Sequence, residues 1–223
     1  MGKKITQYWT MDRIKKVTQY WTLLLFWPLF GMIFGYLERY RNVQDYIVSY
    51  CRMDDFIPFN EWFIFPYMFW FVYLIGMIAY LFFCDKENFR RMMKYIIIAN
   101  SFTLIIFILF PTVQNLRPAV FPRDNLLTRF IGQFYLFDTN TNVAPSLHVI
   151  DSMAVMTAAL NCKRFSSFKW KAAFIIVGLL ICVSTVFLKQ HSVIDIFIAL
   201  PICFLADHLV YGEPAFSKRR VEV

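Results

Sequence analysis

The chain has 223 residues, a formal net charge of +8, 59% apolar and 20% aromatic residues, and a mean hydropathy of +0.50. Several apolar runs approach the roughly 20 residues that cross a bilayer, which excludes an ordinary soluble domain and predicts an integral membrane protein. The basic excess is scattered over separate short segments, which excludes a nucleic-acid-binding patch.

In chain order, hydropathy predicts six spans: Val17 to Tyr36, Trp62 to Phe83, Tyr95 to Phe110, Ser146 to Leu160, Trp170 to Leu188, and Ser192 to Val210. The fourth is short and interrupted by polar residues. No Gly/Ser-rich linker divides the chain. The expected fold is therefore all-α, one six-helix polytopic bundle over residues 17–211, with backbone groups satisfied inside helices. A basic interfacial segment, 1–16, precedes it and a basic tail, 212–223, follows. Thr6-Gln7-Tyr8-Trp9-Thr10 recurs as Thr18-Gln19-Tyr20-Trp21-Thr22, which suits an interfacial segment with Tyr and Trp at headgroup level. With the amino terminus in the cytoplasm, 16 of the 23 Lys and Arg residues fall on the cytoplasmic side, so both termini are expected there. The outer loop from Leu37 to Glu61 mixes aromatics with Asp45, Arg52, Asp54 and Asp55 and is expected to act as a lid.

On this topology the chemistry converges outside the membrane. Pro145-Ser146-Leu147-His148 opens the fourth span, Ser184-Thr185 closes the fifth, His191 and Asp195 open the sixth, and Arg117 sits in the loop after the third. Ionisable groups at membrane-helix ends are functional candidates by default. His191 and Asp195 are i and i+4, so the carboxylate can hold the imidazole in one tautomer, as a nucleophile's orienting partner does. Pro145 suits the first turn of a helix, leaving the N–H groups of Ser146, Leu147 and His148 free for an anion. The Ser146 hydroxyl and the Arg117 guanidinium fork would complete a phosphate cradle. Asp151 lies one turn below His148 as a candidate support. A catalytic zinc generally wants three protein ligands, and no third His or Cys joins His148 and His191 on this side, so no metal or other cofactor is expected.

These residues resemble the motifs of the type 2 phosphatidic acid phosphatase superfamily: Arg117-Pro118, then Pro145-Ser146-Leu147-His148, then Ser184-Thr185 with His191 and Asp195. The resemblance implies that His191 attacks phosphorus to form a phosphohistidine, Asp195 orients it, and His148 protonates the leaving oxygen. Arg117 and Ser146, with the backbone at Leu147, would cradle the phosphoryl oxygens, and Ser184 would stand behind them. The chain departs from the phosphatase pattern where Phe110 replaces a Lys, Thr185 an Arg, and Leu147 a Gly. Lys189 is a candidate replacement for one lost charge. Pro-Ser-Leu-His with Lys189-Gln190-His191, and Asp55-Phe56-Ile57-Pro58-Phe59, look more like the inositol phosphorylceramide synthase branch, whose members move head groups between lipids.

The expected function is thus metal-independent lipid phosphotransfer or phosphatase activity at the extracytoplasmic face, on a phospholipid or polyprenyl phosphate within the membrane. The alternatives are a polyprenyl pyrophosphate or phosphatidic acid phosphatase, and a catalytically silent lipid-binding or transport protein.

Overall fold

A computed structural model describes residues 20–212. The segment 1–16, the first copy of the Thr-Gln-Tyr-Trp-Thr repeat and most of the tail lie outside these residues. The elements are α1 (Phe26–Arg39), β1 (Ile47–Val48), α2 (Met53–Phe56), α3 (Ile64–Cys84), α4 (Lys86–Leu109), β2 (Thr112–Val113), α5 (Leu126–Phe137), α6 (Leu147–Asn161), α7 (Phe168–Phe187) and α8 (Val193–Tyr211). Among the described residues, five helical stretches are long and apolar enough to span a membrane: Tyr20–Arg39, Glu61–Cys84, Lys86–Leu109, Phe168–Phe187 and Val193–Tyr211. The protein is a helical, multi-pass membrane protein, with β1 and β2 forming only a short parallel pair.

The short α6 occupies the middle of the bundle, packing on α3, α4, α7 and α8. Its position explains its weak hydropathy. Asp151, Ser152 and Thr157 are buried among protein rather than facing lipid, and Asn100 Nδ2 donates to Asp151 Oδ1 at 3.1 Å. Such interior polar groups are tolerated when they find partners. Asp151 thus bonds across to α4, where a support for His148 was expected. By contrast, α1 packs mainly against α4 and exposes most of its surface.

Two stretches differ from the sequence expectation. Lys86 to Lys94 belongs to the first turns of α4, not to a loop, because Asp85 caps the helix by accepting the Asn88 N–H at 3.2 Å. Glu87 then pairs with Arg90 and Arg91 on its solvent side, while Phe89, Met92 and Met93 are buried. Between α4 and α6, where only a loop was expected, α5 begins in a reciprocal cap between Asn125 and Thr128. One face of α5 buries Thr128 and Ile131, and the other exposes Leu126, Phe130, Leu136 and Phe137.

Candidate active site

The turn from α7 to α8 places His191. Lys189 adopts a left-handed conformation, φ 53°, and the Gln190 and His191 N–H groups both return to Thr185 O. Ser192 then caps α8 in a reciprocal box with Asp195, whose Oδ2 accepts the Ser192 N–H at 3.0 Å. The same Oδ2 lies 3.1 Å from His191 Nδ1, and Val143 O lies 2.9 Å from that nitrogen. A carbonyl oxygen only accepts, so Nδ1 carries a proton, and in the neutral imidazole the lone pair is the one on Nε2. His191 and Asp195 are buried. Ser49 Oγ donates to the other Asp195 oxygen.

His148 meets His191 across the site, with ring centroids 5.7 Å apart. Tyr67 and Trp70 of α3 flank its ring at 4.4 and 4.6 Å. A cavity of about 320 Å³ opens beside the two imidazoles, walled by aromatic side chains of α1, α3 and α5 and by the 138–143 segment.

The start of α6 departs from expectation in one respect. Pro145 precedes the N-cap, Ser146, and is not in the first helical turn; the Ser146 N–H is engaged by Asp195 O at 3.3 Å. The N–H groups of Leu147 and His148 have no protein acceptor among the described residues. Both residues line the cavity, and the fully buried Ser146 hydroxyl is without a partner.

The two expected cationic ligands stand elsewhere. Arg117 Nη1 donates to Tyr135 O at 2.9 Å, and Nη2 donates to Asp138 O and Thr139 O at 2.7 and 2.8 Å. Its guanidinium lies over the Tyr135 ring, 4.4 Å from the centroid. Arg117 therefore braces the 135–139 chain reversal. Lys189 Nζ donates to Asp54 O at 2.8 Å, and burial pulls its pKa below the ordinary lysine value against the opposing charges of Asp54 and Asp55. Neither side chain lines the cavity. Ser184 Oγ donates to Ile181 O at 2.6 Å within its own helix, and Thr185 does the same to Cys182 O.

Several participants were not legible as such. Asp54, 1% exposed, accepts the Val193 N–H on Oδ1 and the Ser192 hydroxyl and Cys51 N–H on Oδ2. Within the Leu37–Glu61 loop that was expected to act as a lid, Glu38 lines the cavity, whereas Asp54 clamps the loop beneath the His191 turn and none of residues 42–61 lines the cavity. Asp138 lines it as well. Tyr67 OH and Gln190 Nε2 donate to Asp138 Oδ2 at 2.7 and 2.9 Å. Burial raises the Asp138 pKa, while the Tyr67 hydrogen bond and the Arg117 charge oppose that rise. Glu38 could have been flagged, since an acid at the end of an apolar run obeys the same rule that marked the histidines. Among the described residues, no group of three or more His, Cys, Asp or Glu side chains is placed to hold a metal ion.

No protein-family model, curated protein or solved structure matches the chain.

Proposed function

We propose that the protein is a metal-independent lipid phosphotransferase that works through a phosphohistidine at His191. The observation that carries this reading is the double hold on His191 Nδ1 by Val143 O and Asp195, which leaves Nε2 as the basic nitrogen beside a cavity that also holds His148. Nε2 forms a bond to phosphorus as the bond from phosphorus to the leaving lipid oxygen breaks, and His148 delivers a proton to that oxygen. An acceptor hydroxyl then loses its proton to His148 and attacks phosphorus, and the phosphorus–nitrogen bond breaks. The unpaired Leu147 and His148 N–H groups at the start of α6 suit the phosphoryl oxygens.

The motif resemblance supports the same chemistry. So does the charge bias: 16 of the 23 basic residues fall in segments that the hydropathy reading assigns to the opposite side, which favours cytoplasmic termini, six crossings including α6, and an extracytoplasmic active face. The commitment of Arg117 and Lys189 to carbonyl oxygens favours a singly charged phosphodiester over a doubly charged monoester. Transfer is therefore preferred here to hydrolysis of phosphatidic acid or a polyprenyl pyrophosphate.

The test is to incubate purified protein with labelled phospholipids, with and without alcohol acceptors, and to identify products and the covalent enzyme by mass spectrometry. A phosphoryl adduct on His191, lost in His191→Ala, is expected. An active enzyme whose turnover survives His191→Ala refutes the proposal.

A further inference from the structure

The cavity beside His191 has an electrostatic character that phosphate recognition alone does not require. Among the described residues no Lys or Arg lines it, whereas Glu38 and Asp138 both do. Glu38 accepts from Asn142 Nδ2 at 2.8 Å and from Thr141 Oγ1 at 3.3 Å, both on Oε1. Asp138 accepts Tyr67 and Gln190 on Oδ2. One oxygen of each carboxylate, Glu38 Oε2 and Asp138 Oδ1, is thus left over. The guanidiniums nearby point to backbone: Arg39 Nη2 donates to Phe137 O at 3.0 Å, and Arg117 holds the carbonyls of the 135–139 reversal. A carboxylate in an apolar wall is costly in its ionised form, and a cation beside it favours that form. The remaining wall is aromatic, including Trp27, Phe34, Trp70 and Phe134, and ring faces attract ammonium groups.

We propose that this cavity receives the ammonium of a zwitterionic phosphodiester lipid, carrying a phosphoethanolamine or phosphocholine head group, while the phosphorus lies against His191. The inference rests on the phosphotransfer reading and adds the substrate class. The ammonium brings a cation into the cavity itself, where Glu38 and Asp138 stand with no Lys or Arg among the lining residues, and the phosphate of the same molecule lies at the α6 start. An anionic head group brings no such counter-charge and meets two carboxylates instead.

The experiment compares phosphatidylethanolamine, phosphatidylcholine, N-acetylated phosphatidylethanolamine and phosphatidylglycerol of identical chains, each as sole donor to the purified full-length protein. Phosphatidylethanolamine or phosphatidylcholine should exceed both of the others in kcat/KM by at least tenfold, and the two arms decide between the head groups. Glu38→Gln should reduce the ratio of zwitterionic to anionic turnover at least fivefold. If Glu38→Gln fails to fold, the N-acetylated lipid makes the same charge test on the unaltered protein. Native mass spectrometry of His191→Ala with the same lipids reads the preference without turnover. Equal use and equal binding of N-acetylated and free-amine lipid overturns the ammonium site. If such lipids are turned over equally and a His191 adduct still forms, phosphotransfer stands and only the substrate class falls; an active enzyme that forms no His191 adduct removes the phosphotransfer reading itself.

Discussion

Replacing Asp195 by Asn separates two roles that an orienting carboxylate can play. In a nucleophilic pair where the carboxylate alone fixes the tautomer, the amide costs about 10⁴-fold in rate, because the imidazole turns the wrong nitrogen to its substrate. Here Val143 O sits 2.9 Å from Nδ1, so the proton stays on Nδ1 whatever stands at residue 195. The surroundings also orient the amide. Its oxygen belongs where Oδ2 now accepts from Ser192 N–H and His191, and its NH2 belongs where Oδ1 now meets the Ser49 hydroxyl, which can accept as well as donate. Only the charge is lost. A hydrogen bond to a charged group contributes about 1.5–3 kcal/mol and a neutral one about 0.5–1.5, so the difference is about 1–1.5 kcal/mol, or roughly tenfold. The assay is the single-turnover rate of covalent enzyme formation with a labelled phosphodiester lipid, alongside an unfolding titration to establish that the variant is folded. A loss above about 10³-fold in folded Asp195→Asn would mean that Val143 does not hold the tautomer, and the reasoning would fail.

Two further substitutions probe the scaffold. Asp54→Ala removes the acceptor for Val193 N–H, Ser192 Oγ and Cys51 N–H; a lost helix cap and stranded donors together should cost about 3 kcal/mol of stability, and Asp54→Asn should cost less. Unfolding titrations in mixed micelles measure this, and a change below about 0.5 kcal/mol, as for an ordinary surface site, would remove the clamp role. Gly178→Ala would place a methyl 2.7 Å from Met156 Sδ and 2.9 Å from its Cγ, where α7 crosses α6. Overpacking of this kind costs about 1–3 kcal/mol. Met156→Ala in the same chain should relieve most of it, and simple additivity in that double-mutant cycle would refute the contact.

Hydropathy made the long helices legible because lipid imposes one simple demand on their surfaces. It read α6 as the weakest span for a physical reason: Asp151, Ser152 and Thr157 face other helices, and a window average cannot distinguish a polar group facing protein from one facing lipid. It passed over α5, whose twelve residues are too few to cross a membrane and include Arg129 and Gln133. The sequence signal for α5 was the cap, Asn125 with Thr128, followed by apolar residues at helical spacing. The pairing of His191 with Asp195 was visible because it is local. Val143, Ser49 and Asp54 were not, because each reaches the same turn from more than forty residues away.

Arg117 and Lys189 show where residue type stops being informative. A guanidinium beside a phosphate-binding motif reads as a phosphate ligand, since its donor fork fits the anion. The same fork fits backbone carbonyls, and the chain reversal at Tyr135, Asp138 and Thr139 presents three of them to it in a partly buried setting. Lys189 answers a similar need at Asp54 O. Both cations therefore stabilise the walls of the site, and the cavity between those walls is left with two imidazoles, two carboxylates and aromatic rings. A ligand matched to that surface carries its own positive charge, and its phosphate contributes a single negative one. This electrostatic balance, more than any single motif, separates a zwitterionic diester from a phosphomonoester as the substrate of the proposed reaction.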